Sequence, residues 1–239
     1  MNKVKSPIDT GQKEQVASRV REIMPQHLVW CEPYFLMGEV FFNKVPSKKE
    51  IINDADNNII NFYLMVKNRW EQLSFLMEST IHCDFFVRLA ERIQDDQLSE
   101  DLHKAWAFWL NCQKAFVNPE RWSVNDILSD EPKLPDSRQK IILKQLSDRL
   151  QNTYLSNQTP EEVVKNTDGP DTLFFLCPQN KKQWKELEPL LPSIQGKFIL
   201  HYEQKTVLKL VQKGLLYSDE DSMPLGIGTN FKREQRLFD

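Results

Sequence analysis

The sequence predicts an α/β fold, with an open central sheet and a helical segment inserted into it. Two short apolar runs near the start, HLVWC and EII, are each followed by acidic residues. The middle of the chain then changes to a helical period, and the end returns to short apolar runs that alternate with amphipathic ones. This succession is typical of an α/β sheet that a separate helical region interrupts.

The composition narrows the class of protein. The chain has 239 residues, of which 40% are hydrophobic and 27% charged, an ordinary globular balance. Its net charge of -3 means that DNA binding would depend on a local basic patch. Apolar runs fall short of the roughly 18 residues that span a bilayer, and no secretory signal pattern is present. We therefore expect a cytoplasmic protein without a membrane partner.

The cysteines give no metal or disulfide signal. All four are isolated from one another, and none belongs to a C-x-x-C pair: Cys31, Cys83, Cys112 and Cys177. A disulfide framework or a zinc site normally needs closely spaced pairs. We expect no metal, and mostly buried, reduced thiols.

The first part of the chain predicts one helix and two strands. Apolar side chains recur at helical spacing over residues 12–23, before Pro25. Runs rich in strand-forming residues follow at 29–31 and 50–52. Each is the length of an ordinary strand in a buried sheet.

Residues 58–150 are predicted to form a helical insertion. Four stretches have helical spacing, and their aromatic and aliphatic stripes favour a core: 58–79, 82–94, 99–116 and 137–151. One stripe contains Ile59, Phe62, Tyr63, Val66 and Trp70. The proline-containing segment 117–136 is predicted to be a surface loop. The α/β core would then comprise residues 1–57 and 151–239.

The end of the chain returns to the α/β pattern. Thr159 and Glu162 have the spacing of a capping box, with Pro160 at the first helical position. Strands are predicted at 172–177 and 197–201, and a short helix follows that ends before Gly214. A final strand is predicted around three apolar residues of the tail, Phe231, Leu237 and Phe238.

Three motifs resemble those of one enzyme family. CEPYFLMGEVFF, IINDADNNIINFY, and DTLFFLCPQN followed by GKFILHY occur in the order of the Dam-type DNA adenine methyltransferases. The family motifs read E-P-F-x-G-x-G-x-V-F-F, N-D-x-N-x-x-L-I-N-F-Y and D-P-P-Y, and the helical AWAFW is a further similarity. The resemblance implies a Rossmann-like methyltransferase fold with a target-recognition-like insertion. It also implies transfer of a methyl group from S-adenosylmethionine to the exocyclic amine of adenine in DNA.

The resemblance assigns the turn after the first strand to the cofactor. Glu32, Pro33 and Tyr34 match the opening of the family's glycine motif, and Gly38 matches its last glycine. Leu36 stands where the first glycine belongs. Its side chain is expected to narrow the cofactor pocket, because a ligand approaches the backbone closely at such a glycine.

Further cofactor contacts are implied at Asp54 and near the amino terminus. In the family, a carboxylate at the place of Asp54 accepts hydrogen bonds from the ribose hydroxyls. The alternative role for Asp54 is to cap the following helix, which Asp56 suits at least as well. Gly11 and Lys13 correspond to a family G-G-K segment that is only partly retained, and an exposed lysine at a helix start is the simpler interpretation of Lys13.

The catalytic motif differs most from the family pattern. Cys177, Pro178, Gln179 and Asn180 stand where the family has D-P-P-Y. In the family, the aspartate and a backbone carbonyl accept hydrogen bonds from the target amine, while the aromatic ring stacks on the extruded base. A thiol is a weak acceptor and an asparagine has little π surface. A new role for Cys177 as a nucleophile has only His201 as a partner, so we favour a buried thiol.

Two further features bear on DNA. Only seventeen residues separate Pro178 from Gly196, where active relatives have a longer segment that covers the base. Two lysine clusters offer phosphate contacts, although solvated helix faces explain the second one as well: Lys181, Lys182 and Lys185, and Lys205, Lys209 and Lys213. DNA contact therefore has little support from the sequence beyond the resemblance.

These features favour a member of the family whose methyl transfer is impaired or absent. One alternative is a working methyltransferase with an unusual catalytic motif. Another is a non-enzymatic interaction module whose cofactor pocket has filled and whose aromatic helices contact another protein. The expected cofactor is S-adenosylmethionine.

Overall fold

The structure is a computed structural model that describes residues 13–80, 84–116 and 138–232. These residues form two compact units. Among the described residues, the first unit is built from 13–55 and 152–232, and the second from those between Asp56 and Gln151. Among the described residues, no helix is both long enough and apolar enough to cross a membrane.

The first unit contains a six-stranded sheet in the order β3-β2-β1-β4-β5-β6. The strands are β1 (Val29–Glu32), β2 (Lys49–Asn53), β3 (Thr153–Ser156), β4 (Thr172–Leu176), β5 (Lys197–His201) and β6 (Ile227–Thr229). Strands β1 to β5 are parallel, and β6 is antiparallel to β5. The predicted mixed α/β sheet is thus confirmed, including the pairing of β1 with β4.

Strand β1 lies at the centre of the sheet, between β2 and β4. In register, Cys31 is opposite Ile51 of β2 on one side and Phe174 of β4 on the other. The chain order reverses at this point, and open α/β sheets bind their ligands at the carboxyl ends of the strands beside such a reversal. The turns that follow β1, β2 and β4 are therefore the segments to consider for a site.

Nine helices connect the strands and build the second unit within the described residues. They are α1 (Lys13–Ile23), α2 (Glu39–Asn43), α3 (Asn57–Glu78), α4 (Asp84–Asp95), α5 (Asp101–Phe116), α6 (Arg138–Leu150), α7 (Pro160–Thr167), α8 (Lys181–Leu187) and α9 (Gln204–Gln212). Two short 3₁₀ segments lie at Glu188–Ser193 and Met223–Leu225.

The core of the first unit forms because its central strands are apolar on both faces, as parallel strands covered by helices require. All five residues of β4 are buried. One face of the sheet packs against helices α7, α8 and α9 through a single cluster: Cys31, Tyr34, Ile51, Val163, Val164, Phe174, Leu176, Trp184, Leu187, Phe198, Leu200, Val207, Leu210 and Leu216.

The second unit consists of helices α3 to α6, close to the four predicted stretches. Helix α3 kinks at Arg69, whose backbone leaves the helical region at φ −139° and ψ 33°. Trp70, the last residue of the predicted stripe, follows this kink and is half-buried. Beyond the kink, Leu73, Ser74 and Met77 are buried.

Several local predictions are confirmed, and two strands differ from expectation. Thr159 and Glu162 form the capping box, with Pro160 at the start of α7. Strand β3 was not predicted, and β6 lies earlier than the predicted final strand. Of the three tail residues on which that prediction rested, Leu237 and Phe238 lie outside the described residues, as does the predicted loop 117–136.

Candidate cofactor and catalytic site

The turn after β1 is fastened to the end of β2 by three hydrogen bonds. The backbone N–H of Phe35 donates to the carbonyl of Asn53 at 2.9 Å. The backbone N–H of Leu36 donates to Oδ2 of Asp54 at 2.9 Å. The side-chain amide of Asn53 donates to the carbonyl of Pro33 at 3.1 Å. The turn thus has a defined shape that depends on Asp54.

Two residues of this turn occupy the left-handed region of the backbone. Leu36 has φ 51° and Gly38 has φ 67°. A Cβ at Gly38 would lie 2.4 Å from Cζ of Phe35, so glycine is required there for space as well as for conformation. Leu36 is the one non-glycine residue with positive φ among the described residues. The conformation typical of glycine persists at Leu36, although the residue has changed.

We predict that Leu36→Gly is nearly neutral for stability. A left-handed conformation costs a side-chain-bearing residue about 1–2 kcal/mol, which offsets the roughly 0.5–1 kcal/mol entropic penalty of glycine. The matched control is Met37→Gly, the next residue, which is also half-buried and has no positive φ. Urea unfolding should give a free energy of unfolding at least about 1 kcal/mol lower for Met37→Gly than for Leu36→Gly. An equal loss in both variants would show that Leu36 is unstrained.

Asp54 and Asp56 have separate roles. Asp54 is 7% exposed, and its carboxylate faces the turn through the hydrogen bond from Leu36. Asp56 is the N-cap of α3, where its side chain accepts a hydrogen bond from the backbone N–H of Asn58 at 2.9 Å. Asp56 is therefore the cap of this helix, and Asp54 lies at the carboxyl end of β2 beside the turn.

The side chains that open the predicted motif lie in the interior of the first unit. Glu32 is 1% exposed and accepts a hydrogen bond from Nε1 of Trp30 at 3.0 Å. Tyr34 belongs to the core cluster, and burial raises the pKa of its hydroxyl well above the ordinary value. Gly11 lies outside the described residues. Lys13 is the first residue of α1, and its side chain is likewise outside the described part.

The residues in place of D-P-P-Y form the start of a helix. Oδ1 of Asn180 accepts a hydrogen bond from the backbone N–H of Gln183 at 3.0 Å, which makes Asn180 the N-cap of α8. The side chain of Gln183 accepts in return from the backbone N–H of Gln179 at 2.6 Å. This reciprocal pattern resembles a capping box, and it commits Asn180 to the helix end.

Cys177 and Pro178 are buried, and the Gln179 side chain covers the first of them. The Gln179 amide nitrogen donates to the carbonyl of Cys177 at 2.8 Å and lies 3.1 Å from its Sγ. Cys177 is 7% exposed. The carbonyl at the end of β4 is thus already occupied by a donor from the protein itself.

Helix α8 packs through an aromatic pair that no sequence motif indicated. Trp184 of α8 is buried and stacks on Tyr202, with ring centroids 4.7 Å apart and an interplanar angle of 11°. Tyr202 follows β5 directly, at the same edge of the sheet as Asn180. In the sequence, the amphipathic spacing of Trp184 and Leu187 is the feature that indicates this packing. The segment after the motif is therefore a packed helix.

Burial disfavours the reactive thiolate form of Cys31 and Cys112. Burial raises the pKa of Cys31 strongly and raises that of Cys112 to about 11. None of Cys31, Cys112 and Cys177 forms a disulfide, and Cys83 lies outside the described residues. Within residues 13–80, 84–116 and 138–232, no group of three or more His, Cys, Asp or Glu side chains is arranged to hold a metal ion.

A cavity of about 220 Å³ lies in the first unit, away from the turn after β1. Its lining comes from the end of α1, from β6 and from the flanking segments, and includes Ile23, Tyr217, Ile227 and Phe231. We give it less weight than the turn after β1, since neither Asp54 nor the residues around Cys177 contribute to its wall.

The fold is an open α/β sheet, and the turn after β1 lies at the carboxyl edge of its parallel strands, where proteins of this class bind ligands. Residues 10–179 match the family of D12 class N6 adenine-specific DNA methyltransferases. The chain belongs to this family.

A curated relative is similar over much of the chain. The chain is 24% identical over 180 residues to the type II methyltransferase M1.LlaDCHI of Lactococcus lactis subsp. cremoris, a match that covers 70% of this chain. The match spans 62% of the length of that relative. The family match ends at residue 179, so α8, β5, α9 and β6 lie beyond it.

Proposed function

We propose that this protein binds S-adenosylmethionine at the turn after β1 but transfers its methyl group to DNA adenine poorly or not at all. The observation that supports this most strongly is the conversion of the catalytic motif into the N-terminal cap of α8. The cofactor half of the site, which is the turn after β1 with Asp54, would thus have kept its shape. The catalytic half, which is the segment from Cys177 to Asn180, would have lost the groups needed for methyl transfer.

The cofactor half fits an adenosine-containing ligand. Asp54 is a buried carboxylate at the carboxyl end of β2, and its Oδ2 accepts a hydrogen bond from the Leu36 N–H beside the turn. Gly38 keeps the backbone open where a Cβ would collide with Phe35. A carboxylate in this position accepts hydrogen bonds from ribose hydroxyls. When bound, S-adenosylmethionine would supply an activated methyl group on its sulfonium sulfur.

The catalytic half lacks the groups that act on adenine. An exocyclic amine needs two acceptors to orient its lone pair, and the family's aspartate is replaced by Cys177, whose thiol accepts weakly. The carbonyl of Cys177 already receives the Gln179 amide. Asn180, in place of the stacking ring, is used as a helix cap. The proposal names DNA as the substrate only because the chain belongs to this family.

Calorimetric titration with S-adenosylmethionine tests the cofactor half. We expect measurable binding by the wild-type protein and at least ten-fold weaker binding by Asp54→Ala, because hydrogen bonds to a charged group are worth about 1.5–3 kcal/mol. Leu36→Gly should bind more tightly than wild type, since the isobutyl group no longer narrows the turn.

Asp56→Ala is the matched control. It removes a nearby carboxylate that caps α3, so it should lower the free energy of unfolding by about 1 kcal/mol and leave the affinity for S-adenosylmethionine unchanged. Equal affinities in wild type, Leu36→Gly and Asp54→Ala would place the cofactor elsewhere. Absence of binding by wild type and by Leu36→Gly would favour an interaction module without a cofactor.

A further inference from the structure

Arg19 is a buried cation in the middle of α1. Its side chain is only 7% exposed, and its guanidinium contacts residues far away in sequence. Nε donates to Oγ of Ser222 at 2.9 Å, and Nη2 forms an ion pair with Asp219. Nη1 pairs with Glu22 at 2.9 Å and lies 3.8 Å from Asp221. A guanidinium with this many directed contacts fixes geometry more strictly than an exposed ion pair does.

The partners of Arg19 organise the segment that leads into β6. The backbone N–H of Ser222 donates to Oδ1 of Asp219 at 2.8 Å. The carbonyl of Ser222 accepts from the backbone N–H of Ile227, the first residue of β6, at 3.1 Å. Ser222 itself is 2% exposed. Arg19 therefore connects α1 to the start of the edge strand, beyond the end of the family match at residue 179.

On its other side, α1 packs on α2. The Arg21 guanidinium donates to the carbonyl of Asn43, the last residue of α2, at 3.2 Å. Helix α2 begins directly after Gly38, and the backbone N–H of Phe42 donates to the Gly38 carbonyl at 2.9 Å. The turn that presents Leu36 to Asp54 is thus continuous with a helix that α1 holds in place.

We propose that Arg19 is a positioning residue for the turn after β1. By fastening α1 to residues 219–222, it fixes α2 and hence supports the left-handed backbone at Leu36, in addition to the hydrogen bonds between the turn and the end of β2. The consequence for S-adenosylmethionine rests on the proposed function, whereas the consequence for the turn does not. Arg19 touches neither the turn nor Asp54 in any contact described above, so its effect is indirect.

Hydrogen exchange of the full-length protein, without cofactor, tests the effect on the turn. We expect the Leu36 amide to exchange at least ten-fold faster in Arg19→Met than in wild type. The exchange rate of the Phe174 amide, in the core strand β4, should be the same in both proteins. Ser222→Ala, a milder variant that removes one hydrogen-bond partner of Arg19, should also speed the exchange of the Leu36 amide. Lys144→Met, which removes an exposed ion pair with Asp148 in the second unit, is the control and should leave Leu36 unchanged.

Titration with S-adenosylmethionine tests the effect on binding and separates the two proposals. We expect about ten-fold weaker binding by Arg19→Met and partial rescue by Arg19→Lys. Unchanged exchange at Leu36 in both Arg19→Met and Ser222→Ala would overturn the positioning role, as would equal cofactor affinity of wild type and Arg19→Met. If wild type binds no S-adenosylmethionine, the proposed function fails, and exchange at Leu36 alone decides the role of Arg19.

Discussion

Methyl transfer by the wild-type protein is expected to be about 10³- to 10⁵-fold slower than by a family member with an intact D-P-P-Y motif. Loss of a well-placed hydrogen-bonding group typically raises a barrier by about 2.7–4 kcal/mol, and loss of base stacking removes about 1–3 kcal/mol. These two losses combine to the stated range. An assay with labelled S-adenosylmethionine and mixed-sequence duplex DNA measures the rate.

Restoring the motif is expected to recover little of this activity. Cys177→Asp, Gln179→Pro and Asn180→Tyr together replace the acceptor and the ring, but they also remove the cap of α8 and the hydrogen bonds of Gln179. Loss of the cap alone should lower stability by about 1 kcal/mol. The α8 segment, with Trp184 stacked on Tyr202, would still stand where relatives have a longer covering segment. Rapid methylation by the restored variant would show that the motif alone limits the rate.

The largest effect on stability is expected at the ion pair of Lys44 and Glu50. Both side chains are almost fully buried, at 1% and 4% exposure. Nζ of Lys44 also donates to the carbonyl of Val45 and to Oγ of Ser47, both at 3.0 Å, and lies 4.7 Å from the centroid of the Trp30 ring. Lys44→Met would leave Glu50 without its cation. We expect the free energy of unfolding to fall by about 3–5 kcal/mol.

The double variant Lys44→Met with Glu50→Leu is the control for this prediction. It removes the second charge as well, so it should be markedly more stable than Lys44→Met alone. Denaturant unfolding monitored by tryptophan fluorescence gives both values, since Trp30 lies in the same cluster. If the double variant is as unstable as the single one, the loss comes from packing and not from an uncompensated charge.

The sequence predicted the parts of the fold that depend on local pattern. The burial of β4 and the capping box at Thr159 follow from apolar runs and fixed spacings, and both are present. Strand β3 was missed because two of its four residues, Thr153 and Ser156, are polar although they are buried, so the strand has little apolar signal. The kink at Arg69 was not predicted, because no proline or glycine in the sequence marks it.

The contacts within the candidate site were not predictable from the sequence. The motif comparison selected Asp54 and the turn around Leu36, yet the hydrogen bond between them joins residues from two different strand ends. Asn180 differed visibly from the family tyrosine, but its capping role depends on Gln183. The hydrogen bond from Arg19 to Ser222 joins residues that lie 203 positions apart in the sequence, and no local pattern indicates it.

One measurement tests the central claim most directly, which is that the cofactor half of the site is retained and the catalytic half is lost. The protein is mixed with methyl-labelled S-adenosylmethionine and duplex DNA of mixed sequence, and the mixture is separated by gel filtration after prolonged incubation. We predict that label elutes with the protein in the wild type and not in Asp54→Ala, while the DNA stays unlabelled. Label in the DNA that Asp54→Ala abolishes would contradict the claim, because it would require a working catalytic site around Cys177.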